Sequence, residues 1–242
     1  MLGVDFDGTL APIVADPDQA RPDAETLGLL QALASRLSRL VLISGRDTDQ
    51  LWDRVRIPSL MLIGNHGLEE RQAGRSRLSS IAEPFRPNLA RAAEAIGLMQ
   101  AGRPGIRIER KEAAISVHYR ESDDPRAGKD LEALLRPLAA REHLRLHPGR
   151  QLWELRPEVE VHKGSVVRGL ASSLHPRALI YVGDDVTDTD AFTAMRHLAG
   201  IRTLAVGVRS SEVAPQAFAD CDLLVDGVDG VKALLRDLLA LG

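Results

Sequence analysis

Short apolar runs that stop abruptly at Gly, Ser or Asp recur along the chain, the pattern of buried parallel strands that hand over to loops at their C-terminal ends. Four are distinct. Residues 2–4 run into Asp5-Phe6-Asp7-Gly8, residues 40–43 into Ser44-Gly45-Arg46, residues 60–63 into Gly64-Asn65-His66-Gly67, and residues 179–182 into Gly183-Asp184-Asp185. A helical pattern over 24–37 separates the first two, and 47–55 reads as a helix after the second, so the alternation is βαβ. Further apolar runs at 203–208 and 222–225, with a helix expected over 213–219 between them and another over 231–241 after them, extend the sheet.

Between residues 82 and 157 the pattern becomes alternation. Ile106 and Ile108 are set against Arg107, Glu109 and Lys111, and Ile115, Val117 and Tyr119 against Ser116, His118 and Arg120. Period two marks an antiparallel sheet with one wet face. Helical stretches at 88–99 and 128–141 are expected to cover its dry face, and Pro84, Pro87 and Pro157 read as hinges. The expected fold class is therefore α/β: a Rossmann-like core with a parallel sheet, residues 1–81 and 158–242, carrying an inserted α+β domain at 82–157.

Composition narrows the function. A formal net charge of -3 offers no general attraction to nucleic acid or to an anionic membrane, so an anionic substrate must be drawn by local positive groups. The single cysteine, Cys221, excludes an internal disulfide and a CxxC metal cluster. Acidic residues follow Met1 too soon for a signal peptide, and no later apolar run is long enough for a bilayer, so the cytoplasm is the expected location.

Asp5 and Asp7 lie two apart at the end of an expected strand, where extended backbone puts both side chains on one face. Such a pair suits phosphoryl transfer, one carboxylate attacking phosphorus and the other moving the proton, although an ordinary Asp-Gly turn reads the same way. Gly8 permits the turn and Thr9 can bond within it. Ser44, Gly45 and Arg46 could hold a phosphoryl oxygen at a helix start, or Ser44 could simply cap that helix. The carboxylates of 183–188 repel one another unless a cation neutralises them, and hard oxygens suit magnesium; the alternative is an acidic helix start. Lys163 is a candidate mobile positive charge, while His66 fits a substrate contact or a structural turn.

Asp5-x-Asp7, Ser44, Lys163 and Asp184 occur in that order, all but Lys163 at strand ends, where open α/β sheets bind ligands. In this set the sequence resembles the haloacid-dehalogenase superfamily. Within it, Gly64-Asn65-His66-Gly67-Leu68-Glu69, Ile108-Glu109-Arg110-Lys111, Val117-His118-Tyr119-Arg120, Glu154-Leu155-Arg156-Pro157 and Gly183-Asp184-Asp185-Val186-Thr187-Asp188 resemble the trehalose-6-phosphate phosphatases. The resemblance implies a type-2 cap for the inserted domain, Asp5 as nucleophile and metal ligand, and Asp7 as acid/base with its carbonyl on the metal. It further implies Ser44 and Lys163 on the phosphate, Asp184 and Asp188 around Mg2+, and Glu109, Lys111 and Glu154 on the sugar. Gly8, Thr9, Gly45, Arg46, Asn65, His66, His118 and Arg120 are further candidates for substrate contact. The implied substrate is trehalose 6-phosphate, with functional coupling to a trehalose-phosphate synthase. Two departures stand out: Thr189 where an acidic residue is common, and a chain that begins almost at the nucleophile strand, which is expected to lower stability. The alternatives are another sugar-phosphate phosphatase, a phosphomannomutase-like enzyme, or a non-catalytic phosphosugar-binding domain.

Overall fold

The computed structural model describes residues 1–100, 103–149, 151–210 and 213–241. In chain order the strands are β1 (Leu2–Val4), β2 (Leu40–Ile43), β3 (Met61–Gly64), β4 (Glu69–Gln72), β5 (Arg75–Leu78), β6 (Arg107–Arg110), β7 (Ile115–His118), β8 (Leu144–Gly149), β9 (Leu152–Pro157), β10 (Ala178–Gly183), β11 (Arg202–Arg209) and β12 (Leu223–Asp226). The helices are α1 (Ala24–Arg36), α2 (Thr48–Val55), α3 (Arg86–Gln100), α4 (Ala127–Arg141), α5 (Lys163–Leu174), α6 (Thr189–Arg196) and α7 (Gly227–Ala240). They divide into two compact units, Met1–Ser76 with Val161–Gly242, and Arg77–Glu160.

In the first unit the apolar runs become neighbouring strands in the order β12-β11-β10-β1-β2-β3-β4-β5. From β12 to β3 the pairing is parallel. β1, β2 and β3 are buried along their whole length, which is why they read as continuous rather than alternating apolar runs, whereas the edge strand β12 is mostly exposed. Leu2, Val4, Leu40, Leu42 and Val182 pack on one side with Leu30 and Leu33 of α1 and Val231 and Leu235 of α7. Val41, Ile43, Leu179 and Tyr181 face the other side, against Val167 and Leu170 of α5 and Phe192 and Met195 of α6. Val4 stands opposite both Leu42 and Val182, so the loops after β1, β2 and β10 leave the sheet at one level.

Two features depart from the sequence reading. A polar hairpin, β4 and β5, extends the sheet, with β4 antiparallel to β3. Its turn uses Ala73 and Gly74 at φ 50° and 79°, the left-handed pair a tight hairpin requires. The helix expected over 213–219 is instead a single 3-10 turn, Pro215–Phe218, whose bonds run from residue i to i+3, as from the Ala219 N–H to the Gln216 carbonyl. Buried Phe218 packs into the core and holds the segment to one turn.

The second unit is an antiparallel sheet, β6-β7-β9-β8. Ile115, Val117 and Leu155 are buried on its apolar face, and Leu89, Ala92 and Ile96 of α3 with Leu131, Leu135 and Leu138 of α4 are buried as well. The opposite face carries a polar row in register: Glu109 pairs with Ser116, Ser116 with Glu154, and Glu154 with His147. Among the described residues no helix is long and apolar enough to cross a membrane.

Phe192 is fully buried and meets Tyr181 edge-on with ring centroids 5.9 Å apart. Phe192→Ala is expected to lower the free energy of unfolding by about 3–5 kcal/mol, measured by denaturant titration.

Candidate active site

At the level where the loops after β1, β2 and β10 emerge lies a cavity of about 710 Å³, lined among others by Asp5, Asp7, Ser44, Gly45, Arg46, His66, Lys163, Asp184 and Asp185. Its charged centre is Lys163. The side chain is 2% exposed, and its ammonium stands 3.0 Å from Asp5 Oδ1 and 2.7 Å from Asp188 Oδ1. The lysine sits in the first turn of α5 rather than before it, after His162 at the N-cap. Burial alone would lower its pKa, but Asp5, Asp188 and Asp185 outweigh burial and raise it, so Lys163 stays cationic.

Asp188 is wholly buried and has all its acceptor capacity in use. Oδ1 accepts from Lys163 and, at 2.6 Å, from the Tyr181 hydroxyl. Oδ2 accepts the N–H groups of Asp184 and Asp185, each at 3.0 Å. Gly183 is what admits it: a Cβ there would lie 2.2 Å from the Asp188 carboxyl carbon. Asp188 therefore fastens Lys163 to the loop after β10. Burial, followed by the Asp188 charge, raises the Tyr181 hydroxyl well above its ordinary range and keeps it a donor.

Asp5, Asp184 and Asp188 each offer a carboxylate oxygen within 4.8 Å of the others, and all three residues are buried. The Lys163 ammonium meets Asp5 and Asp188 and balances one of the three carboxylates, leaving an excess of negative charge that a divalent cation would neutralise. Asp184 accepts the Thr9 hydroxyl at 3.0 Å, and burial together with Asp188 pushes its carboxyl up to about 6. Burial likewise raises Asp5, against the opposing pull of Lys163. Gly8 at φ 74° brings the β1 loop onto Asp184, since a Cβ there would fall 1.9 Å from Asp184 Oδ2. The donor set fits a hard oxygen-loving cation at Asp5 and Asp184, with Asp188 committed to protein donors behind them.

Asp7 stands apart from this cluster, with its side chain 40% exposed. Arg46 donates to both its oxygens, Nε to Oδ2 at 2.8 Å and an Nη to Oδ1 at 2.6 Å. Ser44 is not the cap of α2, a role taken by Asp47, whose carboxylate accepts the Gln50 N–H at 2.7 Å. The Ser44 hydroxyl accepts the Arg46 N–H at 3.2 Å. Two further backbone bonds tie the loop after β3 to this one, Asn65 N–H to the Arg46 carbonyl at 2.9 Å and His66 N–H to the Ser44 carbonyl at 3.0 Å. The His66 ring lies over Gly45 on the cavity wall. Thr9 and Asn65 are buried and are not among the residues that line the cavity, and the Thr9 hydroxyl is engaged by Asp184.

In the second unit, Glu154 is the hub of the polar row. Its carboxylate accepts from Ser116 at 2.8 Å, Arg156 Nε at 2.6 Å and Lys111 at 3.4 Å. Burial would raise its pKa, but Arg156 and Lys111 lower it, so it is held ionised. His118 meets Glu109 at 2.9 Å on the same face. Arg120 lies beyond β7, exposed, on Gln151 at 3.1 Å. Ser116 and Arg156 were not picked out as candidates from the sequence, although both occupy wet-face positions of their strands.

A family model described as Trehalose-phosphatase matches residues 3–222. The chain is 35% identical over 221 residues to the trehalose-phosphate phosphatase of Mycobacterium marinum, covering 89% of this chain and 55% of that protein. It is 37% identical over 194 residues to that of Mycobacterium tuberculosis, covering 78% of this chain and 49% of that protein. It thus spans about half the length of the curated relatives it matches. Among solved structures, one described as a trehalose-6-phosphate phosphatase related protein aligns with TM-score 0.70 at 25% identity, covering 100% of this chain and 97% of that one. Aspergillus fumigatus trehalose-6-phosphate phosphatase aligns with TM-score 0.61 at 26% identity, covering 99% of this chain and 92% of that one.

A cation at Asp184 must compete with protons below the raised pKa of about 6. Mg2+ affinity, measured by calorimetry, is expected to weaken as pH falls through 6 and to level off above it. Asp184→Asn is expected to weaken binding about ten-fold or more and to remove the part of the pH dependence that belongs to Asp184, while the raised carboxyl of Asp5 keeps its own.

Proposed function

Because the chain belongs to the trehalose-phosphatase family, we propose that it hydrolyses trehalose 6-phosphate to trehalose and inorganic phosphate through a phosphoaspartate on Asp5. The observation that carries this reading is the meeting of Asp5 and Lys163 at 3.0 Å on the wall of a cavity that Asp7 and Asp184 also line. In this reading one carboxylate attacks and another moves a proton, with the ammonium of Lys163 fixed beside the attacking group.

Asp5, Asp184 and the main-chain carbonyl of Asp7 would hold Mg2+, which supplies charge neutralisation to the phosphoryl oxygens when bound. In the first step an Asp5 carboxylate oxygen bonds to phosphorus as the bond from phosphorus to the sugar 6-oxygen breaks. Asp7 delivers its proton to that departing oxygen. Lys163, held by Asp188, balances charge on the transferring group, and Ser44 with the Gly45 backbone faces it from the loop after β2. In the second step Asp7 takes a proton from water as the water oxygen bonds to phosphorus. The bond from Asp5 to phosphorus breaks, releasing phosphate and returning the Asp5 carboxylate.

The second unit is proposed to act as the cap that selects the sugar. Its row of Glu109, Lys111, Ser116, His118 and Glu154 offers charged donors and acceptors suited to hydroxyls. A core that handles only the phosphoryl group does not distinguish one sugar from another.

Asp5→Asn is expected to abolish phosphate release from trehalose 6-phosphate in Mg2+, by a phosphate assay; turnover near wild type would contradict the covalent mechanism. Lys111→Ala is expected to lower kcat/KM for trehalose 6-phosphate at least about ten-fold more than for p-nitrophenyl phosphate. Glu154→Ala should add a loss of stability, since it leaves Arg156 and Lys111 without their shared carboxylate, and the thermal midpoint separates that effect.

A further inference from the structure

Arg46 was expected on the phosphate, but its guanidinium is directed elsewhere. Nε and one Nη form a fork on the two oxygens of Asp7, at 2.8 and 2.6 Å. The same Nη donates to the Pro17 carbonyl at 2.7 Å, and the guanidinium carbon sits 5.5 Å from the centre of the buried Phe6 ring. The Arg46 main chain is fixed as well: its N–H rests on the Ser44 hydroxyl and its carbonyl takes the Asn65 N–H. The side chain is only 10% exposed, whereas Asp7 is 40% exposed. A long, flexible residue has thus been immobilised around a carboxylate that remains open to the cavity.

We propose that Arg46 is the positioning residue of Asp7, setting the plane and direction of the carboxyl group that serves the leaving oxygen. The inference rests on the phosphatase reading above. A carboxylate offers about four acceptor positions, and the fork uses two of them, leaving each oxygen one further position for a proton or a ligand. Single-bond rotation would otherwise sweep an exposed aspartate through several rotamers, most of them useless for in-line proton delivery. Arg46 removes that freedom by holding both oxygens at once. Lysine cannot replace it fully, because an ammonium is a single point of donation and fixes one oxygen, not the carboxylate plane.

The consequence is specific to esters that need a proton on departure. A nitrophenolate leaves unaided, whereas phenolate and sugar alkoxides do not, so a misdirected Asp7 slows the poor leaving groups selectively. The test is a series of substituted phenyl phosphates of graded leaving-group acidity, assayed in Mg2+ with wild type, Arg46→Met, Arg46→Lys, Asp7→Asn and the double variant that joins Asp7→Asn to Arg46→Met. Arg46→Met is expected to lower kcat/KM for phenyl phosphate about ten- to a hundred-fold more than for p-nitrophenyl phosphate, steepening the dependence on leaving-group acidity. Arg46→Lys should fall between, and in the Asp7→Asn background the loss of Arg46 should add little. Equal losses across the series, with Lys no better than Met, would overturn the proposal and make Arg46 a phosphate contact or a loop anchor. Unchanged rates in both variants would overturn it too. No phosphate release from any monoester by the wild-type protein would instead remove the phosphatase reading and this proposal with it.

Discussion

One buried ammonium holds the site together. Lys163 lies between Asp5, on the loop after β1, and Asp188, in the turn after β10, and these loops meet only because their strands are parallel neighbours in register. Removing an ammonium and several carboxylates from water costs more than any one pair returns, so the cluster survives by multiple hydrogen bonding. Tyr181 and two backbone N–H groups complete Asp188, and Thr9 completes Asp184. What is left over is negative charge concentrated at Asp5 and Asp184, facing the cavity. The same excess of charge suits the group to a hard cation.

A second layer of constraint comes from small residues and main-chain bonds. Gly8 and Gly183 let the acidic loops close to distances no side chain would tolerate. The loop after β3 contributes no charge to the cluster, yet its N–H groups pin the loop carrying Ser44 and Arg46. Arg46 then passes that rigidity to Asp7. The two carboxylates of the Asp5-x-Asp7 pair are consequently held by different cations, Lys163 for one and Arg46 for the other. In the proposed reaction, attack and proton transfer then fall to separately fixed groups.

Much of this was legible in the sequence because the chemistry sits at strand ends and apolar strands announce themselves. The loops after β1, β2 and β10 were located from the runs that precede them, and the wet face of the second sheet from its alternation. The β4–β5 hairpin was not, since Glu69-Glu70-Arg71-Gln72 and Arg75-Ser76-Arg77-Leu78 carry the charge of a sheet extension and no apolar pattern. The fork from Arg46 to Asp7 spans 39 residues of chain and has no local signature. Tyr181 did carry a signal: a tyrosine inside a buried strand needs a partner for its hydroxyl, and the carboxylates of the following loop were the nearest candidates. The 3-10 turn at Pro215–Phe218 reflects the anchoring of Phe218 in the core, a tertiary effect that helical propensity does not encode.

Every step of the proposed reaction depends on Asp5 as a covalent nucleophile. The most direct measurement is acid quenching of the protein during turnover of trehalose 6-phosphate in Mg2+, followed by peptide mass spectrometry. A phosphorylated peptide whose modification maps to Asp5, absent without substrate and absent in the Asp5→Asn protein, is the result predicted. Rapid phosphate release with no phosphorylated Asp5 at any quench time, or phosphate found on another residue, would contradict it.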